Sequence, residues 1–138
     1  MLKVTDLKAG FAAGRQVLTA VDGISFELAA GETLALLGES GCGKSATALA
    51  LLRLLPAAGR ILGGQVQFAG RDLLQLPEAE MRAVRGSGMA MIFQEPATSL
   101  NPVLTVGRQI GEVLEKHRGL DGAAAQARAL ELLQAVGI

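Results

Sequence analysis

The chain has few residues that could build a disulfide or a sulfur-rich metal centre. Its 138 residues contain one cysteine, Cys42, and one histidine, His117. A single cysteine cannot form an internal disulfide or a multi-cysteine metal site. His117 stands alone near the end of a helical pattern, where we interpret it as a solvated C-terminal helix residue.

The chain also has no excess of positive or negative charge. Thirteen basic and thirteen acidic residues cancel, so no net field draws the chain to nucleic acid or anionic lipid. We therefore expect no nucleic-acid partner. A chain of this length holds one hydrophobic core, so it is one domain or part of one.

Long hydrophobic runs are absent, although half of the residues are hydrophobic. The richest stretch, 46–55, contains Arg53 and ends at Pro56, which is too short for a membrane span. Charged residues near the start, at Lys3 and Asp6, leave no room for the apolar core of a signal peptide. We expect the chain to stay in the cytosol.

The strongest positive signal is a glycine loop. Residues 38–45 are GESGCGKS, which fits the phosphate-binding pattern G-x-x-x-x-G-K-[ST]. In that pattern Gly38 and Gly43 let backbone N–H groups converge on a phosphate at a helix N-terminus. Lys44 supplies a charge for the β- and γ-phosphates, and the Ser45 hydroxyl is a ligand for Mg²⁺. A chance glycine turn would give this match in about one chain in 200 of this length.

The residues around the loop predict a strand before it and a helix after it. Thr33 to Leu37 is a short apolar run, which is typical of a strand buried on both faces. Apolar residues then recur at helical spacing, at Ala48, Leu51, Leu52 and Leu55. Pro56 and Gly59 end this pattern.

An antiparallel layer is predicted beside this unit. The first strand begins near Leu2, and residues 24–28 and 65–68 alternate between apolar and polar side chains. Turn signals separate these strands; they are Ala9-Gly10, Ala13-Gly14, Ala30-Gly31 and residues 69–72.

The remaining chain is predicted to be mostly helical. A short helix from Pro77 runs toward Arg85 and is broken by residues 86–88, and Met89 to Phe93 is interpreted as a second buried strand. A proline-containing loop follows. Two amphipathic helices come next, capped by Thr105 and Asp121. Their predicted core residues are Val106, Ile110, Val113 and Leu114 in one helix and Ala129, Leu132, Leu133 and Val136 in the other, with Gly137 as the stop signal.

Together these features resemble the nucleotide-binding subunit of ABC transporters. The segment MIFQEPATSLNPVLTVGRQIGEVLEKH is similar to the dipeptide, oligopeptide and nickel importer ATPases, which carry FQEP, SLNP and TVG in this order. The resemblance implies an α/β fold, that of a P-loop NTPase with an ABC-type nucleotide-binding domain. It makes residues 1–138 the N-terminal part of one such domain, with the β layer and P-loop core in 1–93 and the Q-loop and start of the helical subdomain in 94–138.

The resemblance implies that ATP and Mg²⁺ are the cofactors. Phe11 corresponds to the aromatic residue that stacks on adenine, although a core residue beside a turn is an equally good interpretation. Gln94 corresponds to the Q-loop glutamine, which reaches Mg²⁺ or orients water, so that Lys44 and Gln94 are the catalytic candidates and Ser45 and Gln94 the metal ligands. The nucleotide contacts are Phe11, Gly38, Glu39, Ser40, Gly41, Cys42, Gly43, Lys44, Ser45 and Ala46.

The resemblance also implies partners. The Gln94–Thr105 loop corresponds to the part that touches the transmembrane permease, unless it is a purely structural connection. A second ATPase subunit would complete the site, and the protein would lie on the inner face of the cell membrane. The family's LSGGQ signature, Walker B strand and switch histidine would follow Ile138, so the chain is expected to be incomplete.

The resemblance implies that the chain binds ATP with Mg²⁺ and that the full-length protein couples ATP hydrolysis to the import of peptides, or of nickel, through the permease. The alternative function, expected of the 138-residue chain alone, is a nucleotide-binding or permease-binding module without turnover.

Overall fold

The computed structural model describes residues 1–93 and 99–138. Within these ranges the chain forms two compact units, Met1–Met81 and Arg82–Ile138. The elements in chain order are β1 Leu2–Ala13, β2 Gln16–Leu28, α1 Lys44–Leu51, β3 Gly59–Phe68, β4 Arg71–Asp72, α2 Glu78–Ser87, α3 Val106–Arg118 and α4 Gly122–Ala135. None of the helices in the described ranges is long and apolar enough to cross a membrane.

The first unit contains an antiparallel sheet in the order β2-β1-β3-β4. Two tight turns close its hairpins. Gly14, with φ 62°, begins the turn between β1 and β2, while Ala69 and Gly70, with φ 49° and 81°, form the turn between β3 and β4. Such turns need positive φ to match the twist of the strands. The predicted antiparallel layer is confirmed.

The predicted turn at Ala9-Gly10 is wrong, because both residues lie inside β1. Gly10 is needed there for close approach to the neighbouring strand. A Cβ atom on Gly10 would lie 2.7 Å from the carbonyl oxygen of Leu18. The glycine therefore permits tight strand pairing in the sheet.

One face of the sheet covers the core of the first unit. Along β2, Ile24, Phe26 and Leu28 are half-buried while the residues between them are exposed, which confirms the predicted alternation. The largest fully buried side chains are Val4, Leu7, Val66, Leu73 and Met81. Removal of this apolar surface from water, at about 25 cal/mol per Å², is the main force that holds the unit together.

Two predicted buried strands do not form. Residues 33–37 belong to no hydrogen-bonded strand, and Leu37 is 90% exposed. Residues 89–93 contribute only an isolated bridge between Met89 and Arg85, and Ile92 is 97% exposed. A parallel strand buried on both faces needs hydrogen-bonded neighbours and covering layers. No strand within the described ranges pairs with either segment.

Helix α1 ends at Leu51, four residues before the predicted Leu55. Arg53 adopts a left-handed conformation with φ 52°, and its N–H bonds to the carbonyl of Ala50. The N–H of Leu54 bonds to the carbonyl of Leu49, which completes a Schellman motif. The Arg53 guanidinium donates to the carbonyls of Leu73 and Leu76, and these bonds compensate for the strained backbone.

The second unit contains the helix pair α3–α4. The Thr105 hydroxyl accepts from the N–H of Arg108 at 3.3 Å, and the Asp121 carboxylate accepts from the N–H of Ala124 at 2.8 Å, so both predicted caps are confirmed. Gly137, with φ 84°, follows the end of α4 as predicted.

The core between α3 and α4 is smaller than predicted. Leu114, Ala125 and Ala129 are buried, and Ile110 and Leu120 pack against them. Four residues of the two predicted stripes remain exposed; they are Val106, Val113, Leu132 and Val136. The periodicity identified both helices, but each predicted stripe is wider than the surface that the partner helix covers.

The interpretation of His117 as merely solvated is wrong. Its imidazole is half-buried and lies over Gly86, where α2 has a kink. A Cβ atom on Gly86 would lie 2.7 Å from the His117 Nε2 atom. The two residues therefore hold the end of α3 against the end of α2.

Candidate functional site

The glycine loop begins α1 and has a backbone that only glycine adopts easily. The φ angles of Gly38, Gly41 and Gly43 are 156°, 83° and 96°. Such positive angles strain any residue that has a Cβ atom. The three glycines let the loop fold back on itself before the first turn of the helix.

Strand β2 leaves no room for a side chain at Gly43 of the loop. A Cβ atom there would lie 2.2 Å from the carbonyl oxygen of Ala20, which is far inside van der Waals contact. Gly43 is also the N-cap residue of α1, and its carbonyl accepts from the N–H of Thr47 at 2.8 Å. The sheet of the first unit therefore fixes the start of the helix.

Lys44 folds its side chain back over the loop. Its Nζ atom donates to the carbonyl oxygens of Gly38 and Glu39, at 2.7 and 2.6 Å. The same atom lies 3.4 Å from the sulfur of Cys42. The ammonium group is thus held at the loop by backbone carbonyls rather than by a carboxylate.

The positive, N-terminal end of α1 is not neutralised by the helix's own side chains. No side chain caps the helix, and its first turn contains no acidic residue. The N-terminal N–H groups and the helix dipole of such a helix favour an anion, and phosphate is the anion that glycine loops bind. Ser45 lies exposed on this first turn, next to the half-buried Ala46.

The remaining residues of the predicted loop contribute mainly backbone. Glu39, Ser40 and Gly41 are exposed. Cys42 is exposed too, and its sulfur occupies the space beside Gly38, where a Cβ atom would lie only 2.5 Å from it. The sequence pattern did not predict this contact, because it leaves the position of Cys42 variable.

The residues present fit a nucleotide phosphate with its Mg²⁺ ion. Within the described ranges no group of three or more His, Cys, Asp or Glu side chains could hold a metal ion. Mg²⁺ in nucleotide sites is typically held by few protein ligands together with phosphates and water, and an exposed hydroxyl such as that of Ser45 is a group of this kind. The other predicted ligand, Gln94, lies outside the described residues.

Phe11 lies on β1 opposite Leu18 of β2 and Gly59 of β3. Its half-buried ring packs against Gly59, where a Cβ atom would lie 3.1 Å from the Phe11 Cε1 atom. This contact supports the interpretation as a packing residue. The adenine contact stays a prediction.

Two contributors to this site were not predicted from the sequence. The Ala20 carbonyl restricts Gly43, and the carbonyls of Gly38 and Glu39 hold Lys44. Backbone groups carry no sequence signal, so no pattern could have identified them.

Comparison with known proteins agrees with this geometry. The family described as ABC transporter matches residues 21–138. The chain is 53% identical over 139 residues to the peptidoglycan transport ATP-binding protein YejF of Agrobacterium fabrum, covering 100% of this chain and 26% of that protein. It is 48% identical over 139 residues to the oligopeptide transport ATP-binding protein OppD of Bacillus subtilis, covering 100% of this chain and 39% of that protein.

A third relative is the probable peptide ABC transporter ATP-binding protein y4tR of Sinorhizobium fredii. It is 50% identical over 139 residues and covers 100% of this chain and 42% of that protein. The chain therefore spans between 26% and 42% of the length of these relatives.

A solved structure shows the same fold. The dimeric structure of MJ0796, a bacterial ABC transporter cassette, superimposes with a TM-score of 0.83 and 24% identity, covering 97% of this chain and 56% of that chain. A second structure, the dimeric post-hydrolysis state of MJ0796 bound to ADP and Pi, gives a TM-score of 0.80 at 24% identity, with coverage of 97% and 56%.

The glycine loop at the start of α1 and the antiparallel sheet beside it define a P-loop nucleotide-binding fold. The chain belongs to the ABC transporter family, with the fold of an ABC-type nucleotide-binding domain.

Proposed function

We propose that this chain binds ATP with Mg²⁺ through the loop formed by residues 38–46. The observation that carries the proposal is the position of Lys44, whose ammonium is held, among the residues that the structure describes, only by exposed loop carbonyls and the Cys42 sulfur. A phosphate oxygen makes a stronger, charge-assisted bond than a neutral carbonyl does. Lys44 can therefore exchange its backbone partners for the nucleotide.

Within this proposal each loop residue has a task. The backbone N–H groups around Gly41 and Gly43 orient the phosphates, and the Ser45 hydroxyl holds Mg²⁺, which neutralises phosphate charge when bound. Gln94, which follows Phe93 in the chain, is proposed as the second metal ligand and water-positioning residue. Phe11 is proposed to stack its ring on the adenine.

The longer protein is proposed to couple ATP hydrolysis to the import of peptides, or of nickel, through a membrane permease. The names of the relatives support peptide transport, and the dimeric solved neighbours support a second ATPase subunit. The Gln94–Thr105 loop is the proposed permease contact, which would hold the protein at the inner face of the membrane.

For the 138-residue chain itself we propose binding without turnover. None of the ion pairs within the described ranges places a carboxylate at Lys44. Hydrolysis needs a group that orients or deprotonates water near the γ-phosphate. The chain should release phosphate from Mg-ATP no faster than a blank. Turnover that is present in the parent chain and lost in Gln94→Ala would contradict this proposal.

The binding proposal is tested by thermal unfolding with increasing Mg-ATP. At a ligand concentration 100 times the Kd, binding adds about 2.7 kcal/mol and should raise Tm by roughly 6–10 °C. Lys44→Ala should abolish this shift. Lys116→Ala, at an exposed position on α3, is the matched control and should keep it. An equal shift in Lys44→Ala and the parent would remove Lys44 from the site.

A further inference from the structure

Leu18 of β2 lies directly opposite Phe11 of β1 in the antiparallel sheet. Directly opposite residues point to the same face of a sheet, and their Cβ atoms lie about 4.5–5.5 Å apart. Phe11 is half-buried, whereas Leu18 is 60% exposed. The two residues therefore form an apolar pair, the Phe11–Leu18 pair, whose Leu18 half is open to solvent.

The ring of Phe11 is confined on its other side. Gly59 of β3 pairs with Phe11, and a Cβ atom on Gly59 would lie 3.1 Å from the Phe11 Cε1 atom. The same position is 2.8 Å from the Leu55 Cβ atom, so the space over Gly59 is filled. Because β2 is the edge strand of the sheet, a ligand that approaches Phe11 from that edge meets Leu18 beside the ring.

The glycine loop contacts the same face of the sheet. Ala9 is two residues from Phe11 in β1 and therefore points to the face that Phe11 occupies. Ala9 pairs with Val21, whose Cγ2 atom lies 3.6 Å from the position of a Cβ atom on Gly43. The Phe11–Leu18 pair and the start of α1 are thus on one side of the sheet.

A β-bulge brings the loop close to this pair. The register of β1 against β2 shifts between Ala9 and Gly10, which leaves Ala20 as an extra residue of β2. The Ala20 carbonyl oxygen is the atom that approaches Gly43 most closely. Leu18 is two residues from Ala20, which is about 7 Å along a strand. The ribose and α-phosphate of a nucleotide can bridge such a span between a base and the loop.

We propose that Leu18 contacts the base of the nucleotide whose phosphates bind at the glycine loop, and that it helps to determine which bases are accepted. This role of Leu18 rests on the proposed nucleotide site. The side chains of the Phe11–Leu18 pair offer apolar area and no hydrogen-bonding group, so they recognise a base by its flat surface rather than by its exocyclic groups. The pair therefore favours large purine bases and does not distinguish adenine from guanine.

The test compares two ligands that differ in the base. Mg-ATP carries a base, whereas Mg-tripolyphosphate presents only phosphates to the loop. Leu18→Thr keeps a β-branched residue that suits a strand but removes most of the apolar side chain. It should weaken Mg-ATP binding about fivefold, measured by isothermal titration calorimetry, and leave the affinity for Mg-tripolyphosphate unchanged.

Val17→Thr is the matched control. Val17 is the neighbouring residue of β2 and is 44% exposed, but it points to the opposite face of the sheet. Its Cγ1 atom lies 2.9 Å from the position of a Cβ atom on Gly10. Val17→Thr should bind both ligands like the parent. Leu18→Met, which restores a long apolar side chain, should recover the affinity for Mg-ATP.

Other bases test the specificity. The loss in Leu18→Thr should be as large for Mg-GTP as for Mg-ATP, and smaller for Mg-CTP, whose base has less surface. A loss confined to Mg-ATP would show that Leu18 does not act through the flat surface of the base and would overturn that part of the proposal.

Equal affinity for Mg-ATP in Leu18→Thr and the parent would overturn the proposal. A matching loss for Mg-tripolyphosphate would also overturn it, because Leu18 would then act on the loop rather than on the base. An equal loss in Val17→Thr would assign the effect to the stability of β2. If the parent bound neither ligand, the proposed phosphate site itself would be wrong, and the role of Leu18 with it.

Discussion

The glycine loop and the Asn101–Leu104 turn, which precedes α3, are each held by a side chain of their own, which bonds to backbone carbonyls. In the loop the side chain is Lys44, a cation whose bonds go to two carbonyls. In the turn it is Gln109, a neutral amide that pairs with one N–H and two carbonyls. A cation gains from an anionic ligand, whereas an amide with every polar group paired gains from none. Under the proposed function the loop exchanges its partners for a phosphate, whereas the turn keeps its own.

The largest loss of stability is expected on substitution of Gly43, where the loop packs closely against the backbone of β2. Gly43→Ala would combine a φ of 96° with a Cβ atom 2.2 Å from the Ala20 carbonyl. We expect a loss of at least about 3 kcal/mol in the free energy of unfolding, since backbone strain and overpacking add. The matched control is Gly31→Ala, which has φ 79° and no atom within 4 Å. It should cost only about 1 kcal/mol. Urea denaturation measures both, and equal losses would show that the Ala20 contact is unimportant.

A smaller effect is expected at the kink of α2. Gly86→Ala brings a Cβ atom within 2.7 Å of the His117 Nε2 atom and should cost about 2 kcal/mol. Removing the ring with His117→Ala in the same chain should recover the steric part of this loss but leave the strain from the φ of 93°. Additive losses in the double variant would contradict direct packing of the two residues. Gly119→Ala, with φ 65° and no atom within 4 Å, gives the cost of an ordinary left-handed position without a neighbouring side chain.

The smallest effect, a local change in amide exchange, is expected where the Asn101 side chain accepts from the N–H of Val103. Asn101→Ala removes the side-chain oxygen that accepts from Val103 but keeps the three bonds to Gln109. We expect the exchange of the Val103 amide to rise roughly fivefold to tenfold and that of the Asn101 amide to stay nearly unchanged. Asn101→Asp keeps the acceptor and should behave like the parent. Loss of protection at both amides in Asn101→Ala would show that Asn101, and not Gln109, holds the turn.

The sequence predicted those parts of the fold that depend on local chemistry. Thr105 and Asp121 cap their helices because a hydroxyl and a carboxylate satisfy free N–H groups within the same turn. The glycine loop was predicted because its backbone requires glycine at fixed positions. The alternating strands were predicted because each has one covered face.

Features that depend on distant neighbours were not predicted correctly. Residues 33–37 are apolar, but apolar side chains express a preference for burial and cannot supply the strand that would cover them. Gly10 looked like a turn residue because glycine serves both turns and close approach. Gln109 carried no signal, since a glutamine on a polar helix face is ordinary until its three partners are located. The roles of Phe11 and Gln94 stay predictions.

The claim that Lys44 exchanges loop carbonyls for a phosphate is tested most directly at Cys42. The thiol is exposed, is the only one in the chain, and lies 3.4 Å from the Lys44 Nζ atom. Maleimide labelling can therefore be followed by mass spectrometry without ambiguity. Saturating Mg-ATP should slow the labelling, and prior labelling should block nucleotide binding. Labelling at the same rate with and without Mg-ATP, while binding is confirmed independently, would contradict the account.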